Sequence, residues 1–361
     1  MPNSISEWFG HRLFPTVTSS PAAVDDQRQQ RCPFLSDALH GRRKCTKAQN
    51  SKGVCTVSSE SDGIQMDWVV CPYRTLTSPI LPQAARHLFQ ARRAAELVLF
   101  PAPTLSEPAT QERIRNALSS GAHALVYFMD KLGGEIDIPG GRKSPKFKLD
   151  TTLVEIVTTA GKLNIGRHAI LEVQTMDFHG SYRAATDSLA NALKLHPKDF
   201  PKQFEQNPNW ASAGIQSPNI ANVFKRTIYQ TLFKFQLGAH QDCAGSALAI
   251  QESVWRSWQP HLGAPDLTPL SDGTFRLATP PASSSDTDGK GWIFVFEVER
   301  TRKRTPNPIR VTRVIRAGAG SLTDLAFRKA PHEAMALLTS SDSLRAIIRR
   351  RIRQFWPDFL A

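Results

Sequence analysis

The sequence predicts a mixed α/β fold, because segments with the pattern of buried strands alternate with segments of helical periodicity. The runs AHALVYFMD (122–130) and WIFVFEVE (292–299) have the length and composition of buried strands. Segment 218–240 is long and apolar, which predicts a helix near the centre of the core. A hydrophobic content of 40% supports a core of that kind.

Other elements follow from the same patterns. Two strands are predicted over 147–157 and 168–175, joined by a turn that contains Gly161. The segments with helical spacing are 83–100, 110–121, 181–196, 252–262 and 344–356.

The first 78 residues differ from the rest of the chain. They are polar, contain few long periodic segments and carry four of the five cysteines. A segment of this kind builds little hydrophobic core of its own. We therefore predict an N-terminal cysteine-bearing module over 1–78 and a larger α/β domain over 79–361.

The charge balance favours an acidic partner. The net charge is +13 and the pI is near 9.8, which favours nucleic acid before a membrane surface, although a merely soluble basic protein is the alternative. No segment approaches the roughly 18 apolar residues that a membrane-spanning helix needs. The opening residues lack the charged and apolar regions of a signal peptide, so we expect an intracellular protein.

The clustered cysteines predict a metal site. Cys32, Cys45, Cys55 and Cys71 are unlike a disulfide framework, because disulfides are rare in a reducing compartment. Four thiolates suit a tetrahedral Zn²⁺ or a single iron, and a closed metal site would stabilise a polar module. Four buried free thiols are the alternative. Cys243 lies apart from the others and is predicted to be in the core.

Acidic and amide side chains on the two central strands form a candidate catalytic site. Glu172 and Gln174 are two residues apart on an apolar strand, so both point to one face, while Leu171 and Val173 point to the other. Asp150 lies at the start of the preceding strand. Two carboxylates that converge at neighbouring strand ends can hold Mg²⁺, which would activate a water molecule and neutralise charge on a phosphate.

Gln174 occupies a position where a lysine is usual in this layout. Its amide can hydrogen-bond a water molecule but carries no charge. Glu135 is a candidate for a further ligand or for a base, and an ordinary turn carboxylate is equally compatible with its position. A solvated sheet face for Glu172 and Gln174 is the corresponding structural alternative.

Polar donors follow the second strand, where the chain passes into a helix. They are His179, Ser181, Tyr182 and Arg183, and they are candidates for contacts with DNA, although Arg183 fits an ordinary helix-surface charge as well. Basic side chains cluster in four further places, at 42–52, 142–148, 300–304 and 345–353. Several such clusters together favour the phosphate backbone of a nucleic acid.

The chain resembles a known family over most of its length, from about Glu7 to the region of Trp356. The similarity is carried by the motifs CPFLSDAL, VVCPYR, KLGGEI, LEVQTMDFHGSYR, NVFKRTIYQ and HQDCAGSALAI, which occur in this order. By these motifs the chain is similar to the type II restriction endonucleases of the NotI/EagI family, within the PD-(D/E)xK nuclease superfamily. Leu149 stands where the superfamily motif has proline, directly before Asp150.

The resemblance implies a PD-(D/E)xK core, a central mixed sheet flanked by helices, and makes 79–361 a nuclease and DNA-recognition domain. It implies Mg²⁺ on Asp150 and Glu172, Gln174 in place of the lysine, and Glu135 as an additional active-site carboxylate. It also implies iron on the four cysteines of the N-terminal module, a choice that their spacing leaves open between iron and zinc.

The expected function is therefore double-strand cleavage of a palindromic G·C-rich DNA site, containing CGGCCG by resemblance, by a homodimer in the bacterial cytoplasm. A partner DNA methyltransferase is expected in the same restriction–modification system. Two alternatives remain from the residues alone. One is a metal-stabilised, sequence-specific DNA-binding protein without nuclease activity, and the other is a repair or mobile-element nuclease of the same fold.

Overall fold

The structure is a mixed α/β fold organised around one large mixed sheet, as the sequence predicts. It is a computed structural model, which describes residues 3–14, 17–61, 63–76, 79–91, 96–143, 145–277, 290–299, 306–336 and 344–357. The predicted arginine cluster at 300–304 lies outside these residues.

The strands and helices are numbered in chain order. The strands are β1 Ser4–Trp8, β2 His11–Arg12, β3 Val54–Ser61, β4 Ile64–Val69, β5 Leu97–Pro101, β6 His123–Phe128, β7 Ile136–Ile138, β8 Phe147–Leu149, β9 Thr151–Thr159, β10 Lys162–Gln174, β11 Phe178–Gly180, β12 Ile215–Pro218, β13 Cys243–Gln251, β14 Leu267–Pro269, β15 Phe275–Leu277, β16 Gly291–Val298 and β17 Ile309–Arg316. The helices are α1 Pro21–Arg28, α2 Pro33–Ala38, α3 Ile80–Leu88, α4 Pro108–Ser119, α5 Arg183–Leu195, α6 Phe200–Gln206, α7 Ile220–Gly238, α8 Glu252–Trp258, α9 Ala319–Asp324, α10 Ala330–Ala336 and α11 Leu344–Arg353.

Within the described residues, nine strands form the central sheet in the order β14-β15-β17-β16-β13-β10-β9-β6-β5. Strand β10 is antiparallel to β9 and parallel to β13, which is in turn parallel to β16. Parallel neighbours are usually covered on both faces. That arrangement places β10, the strand that carries Glu172 and Gln174, in the interior of the sheet.

Helices cover both faces of the sheet and bury two different sets of β10 side chains. Leu171 and Val173 pack in a core that includes Leu88 of α3. On the other face, α7 packs against β10 and β13 and buries Val223 and Phe235. The predicted alternation along β10 is confirmed, and α7, rather than solvent, lies over the face that carries Glu172.

The N-terminal segment forms a second sheet, in the order β2-β1-β3-β4, which the polar sequence did not predict. This segment shares its cores with the rest of the chain: Cys71 packs with α3 and the central sheet, and Trp8 packs with Phe200 of α6. The predicted domain boundary near residue 78 therefore lies between segments that share a hydrophobic core, and it stays a prediction.

Two predicted elements differ from the structure. The helix predicted over 83–100 is confirmed only as far as Leu88, where α3 ends, and is wrong beyond it, because Leu97–Pro101 forms β5, which pairs in parallel with β6. The turn predicted before 168 is much shorter, because β9 and β10 are joined only by Ala160 and Gly161. Both residues have positive φ, the backbone of a two-residue hairpin turn that matches the twist of its strands.

Most of the other predicted elements are confirmed, including β6, β16 and the helices α4, α5, α7 and α8. The basic helix predicted at the end of the chain is present as α11, on which Leu344 and Ile348 are exposed. Among the described residues, no helix combines the length and apolar character that crossing a bilayer requires.

Candidate active site

The candidate site is built where β8 passes into β9. Strand β8 belongs to a separate hairpin with β7, and the chain bends at Asp150 before it enters the central sheet as β9. The β9–β10 pairing ends at Thr151 and Leu171, so the next residues, Asp150 and Glu172, face each other beyond the last pair. The adjacent strand ends that the sequence predicts are thus brought together.

The two carboxylate residues are in direct contact. The backbone N–H of Asp150 donates to Oε1 of Glu172 at 3.1 Å, and the backbone N–H of Val173 donates to Oδ2 of Asp150 at 3.4 Å. The other carboxylate oxygen of Glu172, Oε2, accepts a hydrogen bond from Nζ of Lys234 on α7. Asp150 is partly exposed, whereas Glu172 is buried. The Asp150 carboxylate thus forms the accessible side of the pair.

The electrostatics of the pair favour a cation. Burial raises the pKa of Glu172, and the negative charge of Asp150 raises it further, to about 8, although Lys234 acts in the opposite direction. A second carboxylate so close disfavours ionisation of the first unless positive charge is present. One lysine does not balance the charge of two ionised carboxylates, so the site can accept a divalent cation.

Gln174 lies on the same face as Glu172, as predicted, and it also contacts α7. Its Oε1 accepts a hydrogen bond from the hydroxyl of Thr227, and its Nε2 donates to the carbonyl of Thr175. The amide has two N–H donors, so one is left to bind a water molecule. The alternative of a solvated sheet face is excluded for Glu172, which is 7% exposed.

Glu135 lies beside the carboxylate pair in the backbone but is turned toward a lysine. In the β7–β8 hairpin, Ile136 pairs with Leu149, so the register places Glu135 next to Asp150. The Glu135 carboxylate pairs with Nζ of Lys148 at 3.3 Å. The structure brings Glu135 near the site but does not bring its carboxylate into contact with the other two.

Sequence reasoning missed Lys234. It lies on one face of α7 together with Thr227 and Thr231, with the spacing that places side chains on one side of a helix. All three are buried, and Lys234 is 2% exposed. A lysine between Phe233 and Phe235 in an apolar helix is the pattern that could have identified it, because a lysine is almost never fully buried unless it is paired.

The candidate DNA-contacting residues form a short surface beyond β10. His179, Ser181 and Arg183 are exposed, whereas Tyr182 is partly buried and burial raises its pKa. Ser181 Oγ accepts the backbone N–H of Arg183, the first residue of α5. Gly180 has a φ of +83°, and a Cβ at this position would lie 2.3 Å from the carbonyl oxygen of Gly214, so only glycine fits.

The four N-terminal cysteines are brought together. Cys32, Cys55 and Cys71 share one core cluster, and Cys45 packs against it. Burial raises the pKa of Cys32 to about 12, and charges on Cys71 and Cys45 contribute to the same shift. Cys243 is buried in β13, as predicted for a core residue.

Cys32 and Cys71 have similar backbone surroundings, although only Cys71 has a lowered pKa. Each precedes a proline that begins a helical turn, and backbone N–H groups two and three residues further on hydrogen-bond the sulfur. A hydrogen bond from Cys55 and the positive charge of Lys47 lower the pKa of Cys71 to about 6, while Cys55 holds its proton. A metal ion binds the thiolate form, and Cys71 is the cysteine whose surroundings favour that form.

Within the described ranges, no three His, Cys, Asp or Glu side chains are arranged as a ready coordination group. The other candidate site has two carboxylates, those of Asp150 and Glu172. Two carboxylates suit Mg²⁺, because that ion is commonly held by one or two carboxylates plus water and phosphate oxygens.

A basic groove adjoins the cysteine cluster. It has a volume of about 520 Å³, and its charged lining residues are Arg28, Arg31, Arg42, Arg43 and Lys44. Its walls are the strand-like segments that carry two of the cysteines: Cys32 N donates to the Arg43 carbonyl, and Cys45 N donates to that of Gln30. Lys47 does not face this groove, because its ammonium donates to the carbonyls of Val54 and Val70.

Comparison with known proteins does not assign the chain to a family. None of the protein-family models matches the sequence. None of the curated proteins matches it either.

Proposed function

We propose that the chain is a Mg²⁺-dependent endonuclease of the PD-(D/E)xK type, which hydrolyses both strands of a palindromic G·C-rich DNA site as a homodimer. The observation that carries the proposal is the contact between Asp150 and Glu172 at neighbouring strand ends, next to the amide of Gln174. The resemblance to restriction endonucleases of the NotI/EagI family supplies the site class, containing CGGCCG, and the partner methyltransferase.

In this proposal Asp150 and Glu172 would hold the divalent ion. When bound, Mg²⁺ would activate water and neutralise charge on the scissile phosphate. Gln174 orients the attacking water through its remaining N–H. The water oxygen forms a bond to phosphorus as the P–O ester bond breaks, which leaves a phosphate on one strand end and a hydroxyl on the other. The water proton passes to a base, for which Glu135 is the candidate, and the leaving oxygen takes a proton from solvent.

The charge distribution supports DNA as the substrate. The net charge of +13 favours a polyanion, and the basic groove of Arg28, Arg31, Arg42, Arg43 and Lys44 offers a place for a phosphate backbone. His179, Ser181 and Arg183 are exposed donors near the end of β10 and are the candidates for base contacts. The four cysteines would hold iron or zinc as a structural ion. Because the segments that carry Cys32 and Cys45 also line the groove, that ion would stabilise the shape of the groove.

The test is digestion of a random-sequence DNA library with Mg²⁺, followed by sequencing of the ends, with matched carboxylate variants. Asp150→Asn should lower the single-turnover cleavage rate by about 1000-fold or more, since loss of a metal ligand removes several kcal/mol of transition-state stabilisation. Asp137→Asn is the control, because Asp137 lies in the same hairpin but pairs with Lys146 at 2.8 Å. Cleavage by Asp150→Asn at the wild-type rate would contradict the proposal.

The same assay separates the alternatives. A DNA-binding protein without nuclease activity would retain specific binding and produce no ends above the background of the Asp150→Asn variant. A repair or mobile-element nuclease would produce ends without a fixed palindrome. A restriction endonuclease yields one recurrent palindromic sequence at every end.

A further inference from the structure

The candidate catalytic strand lacks a cation at the position where one is expected. Gln174 is neutral, and its amide is held by Thr227 and by the carbonyl of Thr175. Among the described residues, a positive charge does reach the carboxylates, but it comes from a different element. It is the ammonium of Lys234, on α7, which pairs with Oε2 of Glu172.

The contact is built into the fold and is not a surface ion pair. The side chains of Lys234 and Glu172 are 3% and 9% exposed. The turn of α7 that carries Lys234 is fixed to β13, because Ser246 Oγ donates to the Lys234 carbonyl at 2.7 Å. Gly238, one turn further on, packs so closely on Ser246 that a Cβ would lie 2.3 Å from its Oγ. These two contacts hold this turn of α7 against β13, so the packing of the helix fixes the position of the Lys234 ammonium.

The direction of the contact also matters. Lys234 holds one oxygen of Glu172, and the other oxygen accepts the backbone N–H of Asp150. The carboxylate is thereby fixed at both oxygens, in the orientation that places it against Asp150. Side chains that orient a metal ligand from behind normally contribute strongly to metal affinity.

We propose that Lys234 is a positioning residue of the carboxylate site: presented by α7, its ammonium fixes Glu172 against Asp150 and supplies the positive charge that Gln174 does not. This inference rests on the proposed nuclease function and assigns to α7 the cation that the superfamily motif places on the strand. Thr227 serves Gln174 in the same way, so one face of α7 orients both β10 side chains.

The test compares Lys234→Met with Lys225→Met, which removes an exposed lysine from the same helix. Mn²⁺ binding to the DNA-free protein is measured by isothermal titration calorimetry, and single-turnover cleavage is measured with Mg²⁺. Lys234→Met should weaken Mn²⁺ binding about 10- to 100-fold and slow cleavage at least as much, whereas Lys225→Met should leave both unchanged. Values for Lys234→Met within about twofold of wild type would overturn the inference, since loss of an orienting partner has a larger effect than that.

Lys234→Arg keeps the test decisive if the methionine variant does not fold, as circular dichroism will show. Arginine retains the charge, but its larger planar guanidinium presents its donors in a different geometry, so it should not hold Glu172 in the same orientation. The inference requires Lys234→Arg to lose at least about tenfold in Mn²⁺ affinity or in cleavage. Wild-type values for this variant would mean that any buried cation suffices, and would overturn it.

The two proposals fail separately. If the wild-type protein cleaves no DNA but its Mn²⁺ affinity depends on Lys234, the nuclease assignment is wrong and the positioning role stands. If the wild-type protein cleaves DNA and the Lys234 variants behave like wild type, the nuclease stands and the positioning role is wrong.

Discussion

Lys234 on α7 and Glu172 on β10 form an ion pair that is buried on both sides, although 62 residues separate them in the sequence. Glu172 in turn contacts Asp150, so the site combines two carboxylates and one ammonium. Burying a charge is costly unless it is paired. The pairing accounts for a carboxylate on a largely apolar, buried sheet face, and it leaves the Asp150 carboxylate as the partly exposed side of the site.

The hydrogen bond between Thr227 and Gln174 gives a first prediction. Thr227→Val removes the hydroxyl with little change in shape and frees the Gln174 amide to rotate, so cleavage should slow about tenfold, within the range seen for outer-shell partners. Single-turnover kinetics at saturating Mg²⁺ measures the effect. Thr231→Val is the control, since Thr231 is buried on the same face of α7. Equal losses in both variants would mean that packing, not orientation of Gln174, is responsible.

A buried ion pair in the N-terminal sheet gives a second prediction. Glu7 is fully buried, and its carboxylate accepts hydrogen bonds from Arg74 Nε at 2.8 Å and from Thr56 Oγ1 at 2.5 Å. Glu7→Gln leaves the Arg74 charge unpaired, so the free energy of unfolding at pH 7 should fall by about 3–5 kcal/mol. Urea denaturation measures it, and Glu112→Gln, at an exposed carboxylate, should change it by less than about 1 kcal/mol.

The same pair predicts the pH dependence of stability. Burial alone would raise the pKa of Glu7, but the charge and hydrogen bonds of Arg74 outweigh it and hold the pKa below its ordinary value of 4.5. A lowered pKa in the folded state stabilises the protein above pH 4.5, and that stabilisation is lost as the pH falls through the folded-state value. The difference between wild type and Glu7→Gln should therefore shrink below pH 4.5. A difference that stays constant on acidification would contradict this assignment.

The sequence is sufficient to predict the carboxylate pair of Asp150 and Glu172, but it is insufficient to predict that Lys234 contacts this pair. The two-residue period of a strand places Glu172 and Gln174 on one face, and a short connection brings Asp150 beside them. Lys234 depends on how α7 crosses the sheet, which no local pattern specifies. Its only local indication is an ionisable residue on the buried face of an apolar helix.

The misassigned segment 83–100 has a related cause. Leu97–Pro101 is a short apolar run that fits either a helix or a buried strand by periodicity alone. Its parallel pairing with β6 decides in favour of a strand, and that pairing involves residues far along the chain. The N-terminal sheet was missed because β1 and β3 are separated by 45 residues that include two short helices.

The cysteine cluster gives a fourth prediction. If the four cysteines hold the proposed structural metal ion, Cys71→Ser should release it from the purified protein and lower the free energy of unfolding by roughly 3 kcal/mol or more, because structural metal binding contributes directly to folding. Cys243→Ser is the matched control, since Cys243 is buried in β13 and lies outside the cluster. Elemental analysis measures the content, and visible absorption distinguishes iron from zinc. Full metal content in Cys71→Ser would exclude this residue as a ligand.

The basic groove gives a fifth prediction, which concerns DNA affinity rather than cleavage. Arg42 and Arg43 are exposed in the groove, and in the described part of the chain neither side chain has a carboxylate partner. If both contact phosphates, replacing them with glutamine should weaken binding equally for all sequences and reduce the slope of log K against log salt by about 2.

The measurement is fluorescence anisotropy of labelled DNA without divalent ions, at salt concentrations between about 50 and 200 mM. The charge-matched control is Arg115→Gln with Lys162→Gln, which removes two exposed positive charges from α4 and from the start of β10. Non-specific electrostatic attraction to DNA depends on the total charge of the protein. Both double variants would therefore lose the same affinity if the groove had no special role. A loss of slope confined to the Arg42 and Arg43 variant places the phosphate backbone in the groove, beside the segments that carry Cys32 and Cys45.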